Sequence, residues 1–171
     1  MTSSNSTLFK KTRRIDFGRA IMNLTITDFS WWQVTKAHKI DQEAFNATAW
    51  SLETFWSELS ALNRYYIALI DEEKEIVGFA GLAFNGLDAD IQTMVIKPEF
   101  QNMGYGKKLL DNLLEKVQEK KSNRVFLEVV ADNENAIKLY KSRNFEIISK
   151  RSNYYPNGKD AVIMQLDLRK K

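Results

Sequence analysis

Between Leu109 and Val117 the apolar residues are Leu109, Leu110, Leu113, Leu114 and Val117, the spacing of a helix with one buried face. The segment GKKLLDNLLEKVQEKK therefore predicts a helix. SLETFWSELSAL has the same period. Ser51 is placed to cap it, Glu53 falls in its first turn, and Leu52, Phe55, Trp56, Leu59 and Leu62 share a face. Asp28 is a candidate cap for an earlier helix running to about Ala44, and NENAIKLYKSR predicts a fourth. Elsewhere the pattern shortens to the apolar runs IMNLTIT, YYIALID, EIVGFAGLAF, ADIQTMVI, RVFLEVV, FEIISKRSNYY and AVIMQLDL, which read as strands. The charged turn Glu72-Glu73-Lys74 and the turn Pro156-Asn157-Gly158 each suit a hairpin. The order β-α-α-β-β-β-α-β-α-β-β predicts an α/β fold, a mixed sheet of about seven strands with four helices on its faces.

Composition narrows the chemistry. The 171 residues are 44% hydrophobic and 27% charged, ordinary for one globular domain. No apolar run reaches the ~20 residues of a membrane span. With no cysteine and one histidine, His38, disulfides, thiolate metal sites and histidine-rich metal sites are excluded, so no metal is expected. His38 reads as a surface or structural residue. The net charge of +3 is mild and suits an anionic ligand. Residues 1–21 are polar, then basic, and lack the apolar centre of a signal peptide; they read as a disordered basic leader ahead of a domain over 22–171.

The stretch VIKPEFQNMGYGKKLL places Gly104 and Gly106 between a strand and a helix. A helix N-terminus exposes unpaired N–H groups and a partial positive charge, and glycine lets an anion approach the backbone. The arrangement predicts a phosphate cradle. A dinucleotide fingerprint would need a further glycine where Leu109 stands; a P-loop would need glycine at Gln101 and Ser or Thr at Lys108. Both are excluded. In RVFLEVV a single carboxylate, Glu128, interrupts an apolar strand, and burying one without a partner or a task is costly. Tyr140 shares a helix face with Ala136 and Ile137, and Asn133 is placed to cap that helix.

The Val/Ile-x-Pro-x-x-Gln-x-x-Gly-x-Gly pattern, carried here by Ile96, Pro98, Gln101, Gly104 and Gly106, resembles motif A of the GCN5-related N-acetyltransferases. Further blocks resemble the RimI-like group of that family, which acetylates the N-terminal alanine of a ribosomal protein. They are Leu127-Glu128-Val129, Asn133, Ala136-Ile137, Leu139-Tyr140, Arg151, Tyr154-Tyr155, Asp160-Ala161 and Met164. The resemblance spans roughly Leu24 to Leu168. Asn144 stands where the group has glycine, Ala49 where it has proline before Trp50, and Asp132 before the asparagine. Asparagine tolerates a left-handed helix end, so Asn144 keeps that geometry.

The resemblance implies acetyl-CoA as co-substrate. Its pyrophosphate would lie on Asn102, Met103, Gly104, Tyr105, Gly106 and Lys107. Met94, Val95 and Ile96 would offer backbone to the pantetheine arm, and Asn133 its side-chain amide. It further implies Glu128 as general base, Tyr140 as the acid that protonates the leaving thiolate, and Tyr154 or Tyr155, with Trp50, as walls of the peptide slot. Strand alternation would send the two tyrosine rings to opposite faces. With no cysteine to carry an acyl group, direct transfer is expected. The implied enzyme is cytoplasmic, acts on a protein N-terminus, S18 by the resemblance, and needs neither membrane nor nucleic acid. The sequence leaves open a relative acting on a lysine, a polyamine or another small amine, and a non-catalytic acyl-CoA- or ribosome-binding module.

Overall fold

The computed structural model describes residues 23–170; the expected leader lies outside them. The elements follow the predicted order: β1 (Thr25–Asp28), α1 (Val34–Phe45), α2 (Leu52–Ser60), β2 (Arg64–Ile70), β3 (Ile76–Asn85), β4 (Asp88–Ile96), α3 (Tyr105–Glu119), β5 (Arg124–Val130), α4 (Glu134–Lys141), β6 (Glu146–Arg151) and β7 (Ala161–Asp167). The strands form one seven-stranded sheet in the order β1-β2-β3-β4-β5-β7-β6. Every pairing is antiparallel except β4 with β5, whose parallel connection runs through α3.

Helices cover both faces of the central strands, which explains the near-continuous apolar run of β3. On one face α3 buries Leu109, Leu110, Leu113 and Val117 against Val125, Leu127 and Val129 of β5 and against β2 and β3. On the other, Val34, Ala37 and Ile40 of α1 and Phe55 of α2 pack on Ala68, Phe79 and Val95. Tyr66 ties this second layer to the sheet by donating its hydroxyl to Glu58 Oε2 at 3.0 Å, and Arg64 Nε donates to the same oxygen at 2.7 Å.

Two local expectations change. Asp28 caps no helix: β1 pairing continues through Asp28 opposite Ile67, and Phe29 N–H still donates to Tyr66 C=O at 3.0 Å. The chain turns only at Ser30, whose N–H is taken by Gln33 Oε1 at 2.8 Å, through a 3-10 turn over Trp31–Gln33. In α2, Ser51 caps as expected, accepting Thr54 N–H at 3.0 Å. The proposed apolar face does not bury as a unit: Phe55 is buried and Leu59 half-buried, while Leu52, Trp56 and Leu62 are exposed. The helix ends at Ser60, so Leu62 lies beyond the helical period.

The feature that prepares a site lies between β4 and β5. They pair only from Asp88–Arg124 to Ile91–Leu127. Arg124 clamps the start of this short ladder, donating from Nε to Asp88 Oδ1 at 2.9 Å and from Nη2 to Asp88 Oδ2 at 2.6 Å. The β3–β4 register jumps there too: Gly81 faces Thr93 but Leu82 faces Ile91, leaving Gln92 as the extra residue of a β-bulge. Beyond it β4 follows β3 and β5 follows β7, and the two strands part.

A Cβ on Gly81, at this bulge, would lie 2.0 Å from Cε1 of Tyr66. Gly81→Ala must therefore displace the ring and its bond to Glu58. A loss of about 1–3 kcal/mol is expected, an overpacking cost, read from the urea midpoint at unchanged m-value.

Candidate active site

Where β4 and β5 part, two cavities of about 300 Å³ adjoin and share Met94, Asn133 and Ala136. One runs along the loop before α3 and the side of α4. The other passes through the break in the sheet, from Tyr140 of α4 to Asp41 of α1.

The first cavity is lined by Met94, Ile96, Gln101, Asn102, Gly104, Gly106, Lys107, Asn133 and Leu139, among others. Its loop is braced from below: Gln101 Nε2 donates to Ile96 C=O at 2.8 Å. Asn102 (φ 59°) and Gly104 (φ 86°) take left-handed backbone, turning the chain so that α3 starts immediately. The ladder of α3 opens with Lys108 N–H on Gly104 C=O at 3.2 Å, so the amides of the cavity-lining Gly106 and Lys107 precede it. With Lys107 alongside, this end of the cavity is suited to an anion. Asn133 caps α4 by accepting Ala136 N–H at 3.1 Å while also lining both cavities.

Not every residue expected at the cradle turns its side chain to it. Tyr105 is buried in the core with Lys108 Nζ 5.2 Å from its ring centroid, and Met103 is exposed away from the cavity lining. The side chain of Val95 packs on the opposite face with Phe79, leaving only its backbone for this side. Strand alternation accounts for Val95, and the first turn of α3 rotates Tyr105 inward.

The second cavity brings together Glu128, Tyr140, Tyr154, Tyr155, Trp50 and Asp41. Glu128 is not the buried carboxylate that its apolar strand suggested. Val125, Leu127 and Val129 face α3, whereas Phe126, Glu128 and Val130 face the other way, where α1 and α2 cover only β2 to β4. Glu128 is about a third exposed and accepts from Arg151 Nη1 at 2.6 Å. Tyr140 is buried beside Phe145, with no hydrogen-bond partner for its hydroxyl among the described residues. Burial, aided by Tyr155, pushes the Tyr140 pKa well up, so the phenol holds its proton across the physiological range.

Tyr154 and Tyr155 do not alternate. Asn153 (φ 51°) turns the chain out of β6, the pair lies in the following loop with ring centroids 5.2 Å apart, and both line the cavity. Burial and the neighbouring Glu128 raise the Tyr155 pKa; a hydrogen bond to Glu128 does most to raise that of Tyr154. Trp50 is both wall and core, packing edge-on to Phe55 at 5.4 Å. His38 is structural, edge-on to Phe55 at 5.9 Å. Among the described residues no cluster of His, Asp or Glu could hold a metal.

Asp41 was missed in the sequence. Its Oδ2 accepts Trp50 N–H at 2.7 Å, which joins α1 to the loop before α2. It lies four residues after Ala37 and seven after Val34, on the apolar stripe of α1, and a carboxylate on such a stripe was the available signal.

Comparison with known proteins places this geometry. The Acetyltransferase (GNAT) family model matches residues 21–145. The chain is 31% identical over 147 residues to the ribosomal protein bS18-alanine N-acetyltransferase of Escherichia coli K12, covering 84% of this chain and 97% of the relative. The crystal structure of the Escherichia coli ribosomal-protein-S18-alanine N-acetyltransferase superposes with a TM-score of 0.78 at 30% identity, over 85% of this chain and 94% of that one. Arabidopsis thaliana NAA60 in complex with acetyl-CoA, at 15% identity, shares the fold with a TM-score of 0.76 over 86% of this chain and 99% of that one.

Gly106 lies in regular helical backbone, and a Cβ there would meet Leu139 Cδ2 at 3.3 Å on the cavity floor. Gly106→Ala avoids the backbone strain that any side chain would suffer at Gly104. The variant should keep its melting temperature and bind acetyl-CoA about ten-fold more weakly, near 1.4 kcal/mol by calorimetry.

Proposed function

The chain belongs to the GNAT family of acetyltransferases, and from that premise we propose that its acceptor is the N-terminal α-amine of a protein, the alanine terminus of ribosomal protein bS18. It is an N-acetyltransferase that uses acetyl-CoA. The observation that carries the acceptor reading is the second cavity, about 310 Å³, with aromatic walls from two loops, Trp50 from one and Tyr154-Tyr155 from the other. The relatives' activity on bS18 supports the same reading. Work on a ribosomal protein implies a cytoplasmic site of action; among the described residues no helix is long and apolar enough to cross a membrane.

The chemistry divides among the residues as follows. The loop amides and Lys107 hold the pyrophosphate of acetyl-CoA, and Asn133 and the free edge of β4 hold its arm along the first cavity. The thioester then meets the second cavity at Met94. Glu128 takes the proton of the α-amine, directly or through a water; with a pKa of about 8 the amine is within reach of a carboxylate base, unlike a lysine at about 10.4. The amine nitrogen bonds to the acetyl carbon, the carbon–sulfur bond breaks, and Tyr140 gives its proton to the departing thiolate. The burial that keeps Tyr140 protonated also raises the proton affinity of a thiolate formed beside it, which favours the transfer.

Tyr140→Phe keeps the ring and its packing. Its turnover should fall by roughly 10²–10⁴ in a chemistry-limited assay, with acetyl-CoA affinity unchanged. Glu128→Gln should be most impaired where the amine is protonated and should recover in part as pH passes about 8. A peptide beginning with alanine should outcompete the same sequence with a blocked terminus and a free lysine. A better rate with the blocked peptide would refute the N-terminal assignment.

A further inference from the structure

Asp41 is 1% exposed, the one carboxylate buried to this degree among the described residues. It forms no salt bridge with any described residue. Its only hydrogen bond there is Trp50 N–H on Oδ2. Its second oxygen has no partner among the described residues, yet it is not sealed in the core, because the residue lines the second cavity. A buried carboxylate with one hydrogen bond is expensive to keep, and it is stabilised by a donor or cation on its open side. No described residue supplies one; the open side is the space assigned above to the acceptor.

We infer that Asp41 is a second acceptor-binding carboxylate, its free oxygen receiving an N–H of the substrate's first residue while its other oxygen holds the Trp50 wall in place. This rests on reading the second cavity as the acceptor site. It divides the work between the two carboxylates: Glu128, paired with Arg151, faces the reacting amine from β5, and Asp41 anchors the same residue from α1. One aspartate would thus couple the wall of the slot to its occupant.

The titration of Asp41 supplies a signature. Burial raises its pKa to about 6, against the opposing pull of Trp50 N–H and of His38. The other titratable groups facing the cavity are Glu128 of β5, Tyr140 of α4, and Tyr154 and Tyr155 of the loop before β7; β4 contributes the neutral Gln92 and Thr93, and α2 and β3 contribute none. The raised pKa means that the native state binds this proton more tightly than the unfolded chain. Stability from this group is therefore present at acid pH and lost as pH rises from about 4 to about 6. At neutral pH the free enzyme carries a charge that Trp50 N–H satisfies only in part and that the acceptor would complete.

The test is Asp41→Asn, which can still accept Trp50 N–H. The acceptor used is whichever amine of a panel (alanine peptide, blocked lysine peptide, spermidine) the wild type acetylates fastest. Preference for another amine overturns the alanine reading but leaves the Asp41 comparison intact. The variant should melt no lower than wild type at pH 7.5, bind acetyl-CoA equally well, and show an acceptor KM raised roughly 10- to 100-fold, the loss of a charge-assisted hydrogen bond. In wild type, kcat/KM for the acceptor should decline as pH drops through about 6; the variant should lack this limb, and His38→Gln should retain it at slightly higher pH. An unchanged acceptor KM, or a variant that keeps the limb, overturns the proposal. If Asp41→Asn does not fold, carbon-detected NMR titration of Asp41 in wild type decides. A non-acetylatable acceptor peptide should lower its pKa, and an unmoved pKa refutes the contact.

Discussion

The parting of β4 from β5 is the constraint on which the rest of the molecule depends. A parallel pair would ordinarily run on, satisfying its backbone and closing the sheet. Here the Arg124–Asp88 clamp secures the ladder at one end, and the bulge at Gln92 bends β4 away after Ile91. Each strand keeps its other neighbour, so the sheet remains whole while a gap opens through its middle. The helices are then disposed around that gap: α3 and α4 present their N-terminal ends on one side, α1 and the loop before α2 lie on the other.

A gap through a sheet allows two substrates to meet from opposite faces. The first cavity, the one proposed to hold a phosphate-bearing arm, is bounded by a loop that left-handed residues and the Gln101 brace turn directly into α3. The second is walled with aromatic rings and lined by Glu128, Tyr140 and Asp41, the groups to which acid–base and acceptor-binding work is proposed above. They share a lining at Met94, Asn133 and Ala136, where the proposed reaction would bring the two substrates together. Asn133 shows how economically this is done, since the side chain that starts α4 also faces both cavities.

The titratable groups of the second cavity differ by surroundings rather than by type. Tyr140 is buried beside Phe145 at the cavity wall and retains its proton, as its proposed role requires. Glu128 and Asp41 are carboxylates in one cavity, yet one is about a third exposed and paired with an arginine while the other is buried with no cation paired to it among the described residues. Such divergence is how a site assigns different work to like residues.

Period and punctuation were sufficient for the element order. Leu109 to Val117 could only be a helix with one wet face, and the turn residues at Glu72-Glu73-Lys74 and Pro156-Asn157-Gly158 delimit their hairpins from local preference alone. The spaced blocks around Gly104, Glu128 and Tyr140 pointed to the acyl-transfer family because motif spacing is a local property too. What failed depended on partners distant in the chain. Alternation says that Glu128 opposes Leu127, but not that α1 and α2 stop short of β5 and leave it open to Arg151. Tyr154 and Tyr155 read as strand until Asn153 turns the chain out of β6. Asp41 read as one more charge on a helix until the fold set it beneath Trp50, at the back of a cavity whose other wall comes from residues more than a hundred positions away. Local chemistry in the sequence determined which elements form and which family they build; burial, pairing and the sharing of one cavity are sums over distant contacts, and only the tertiary structure decides those.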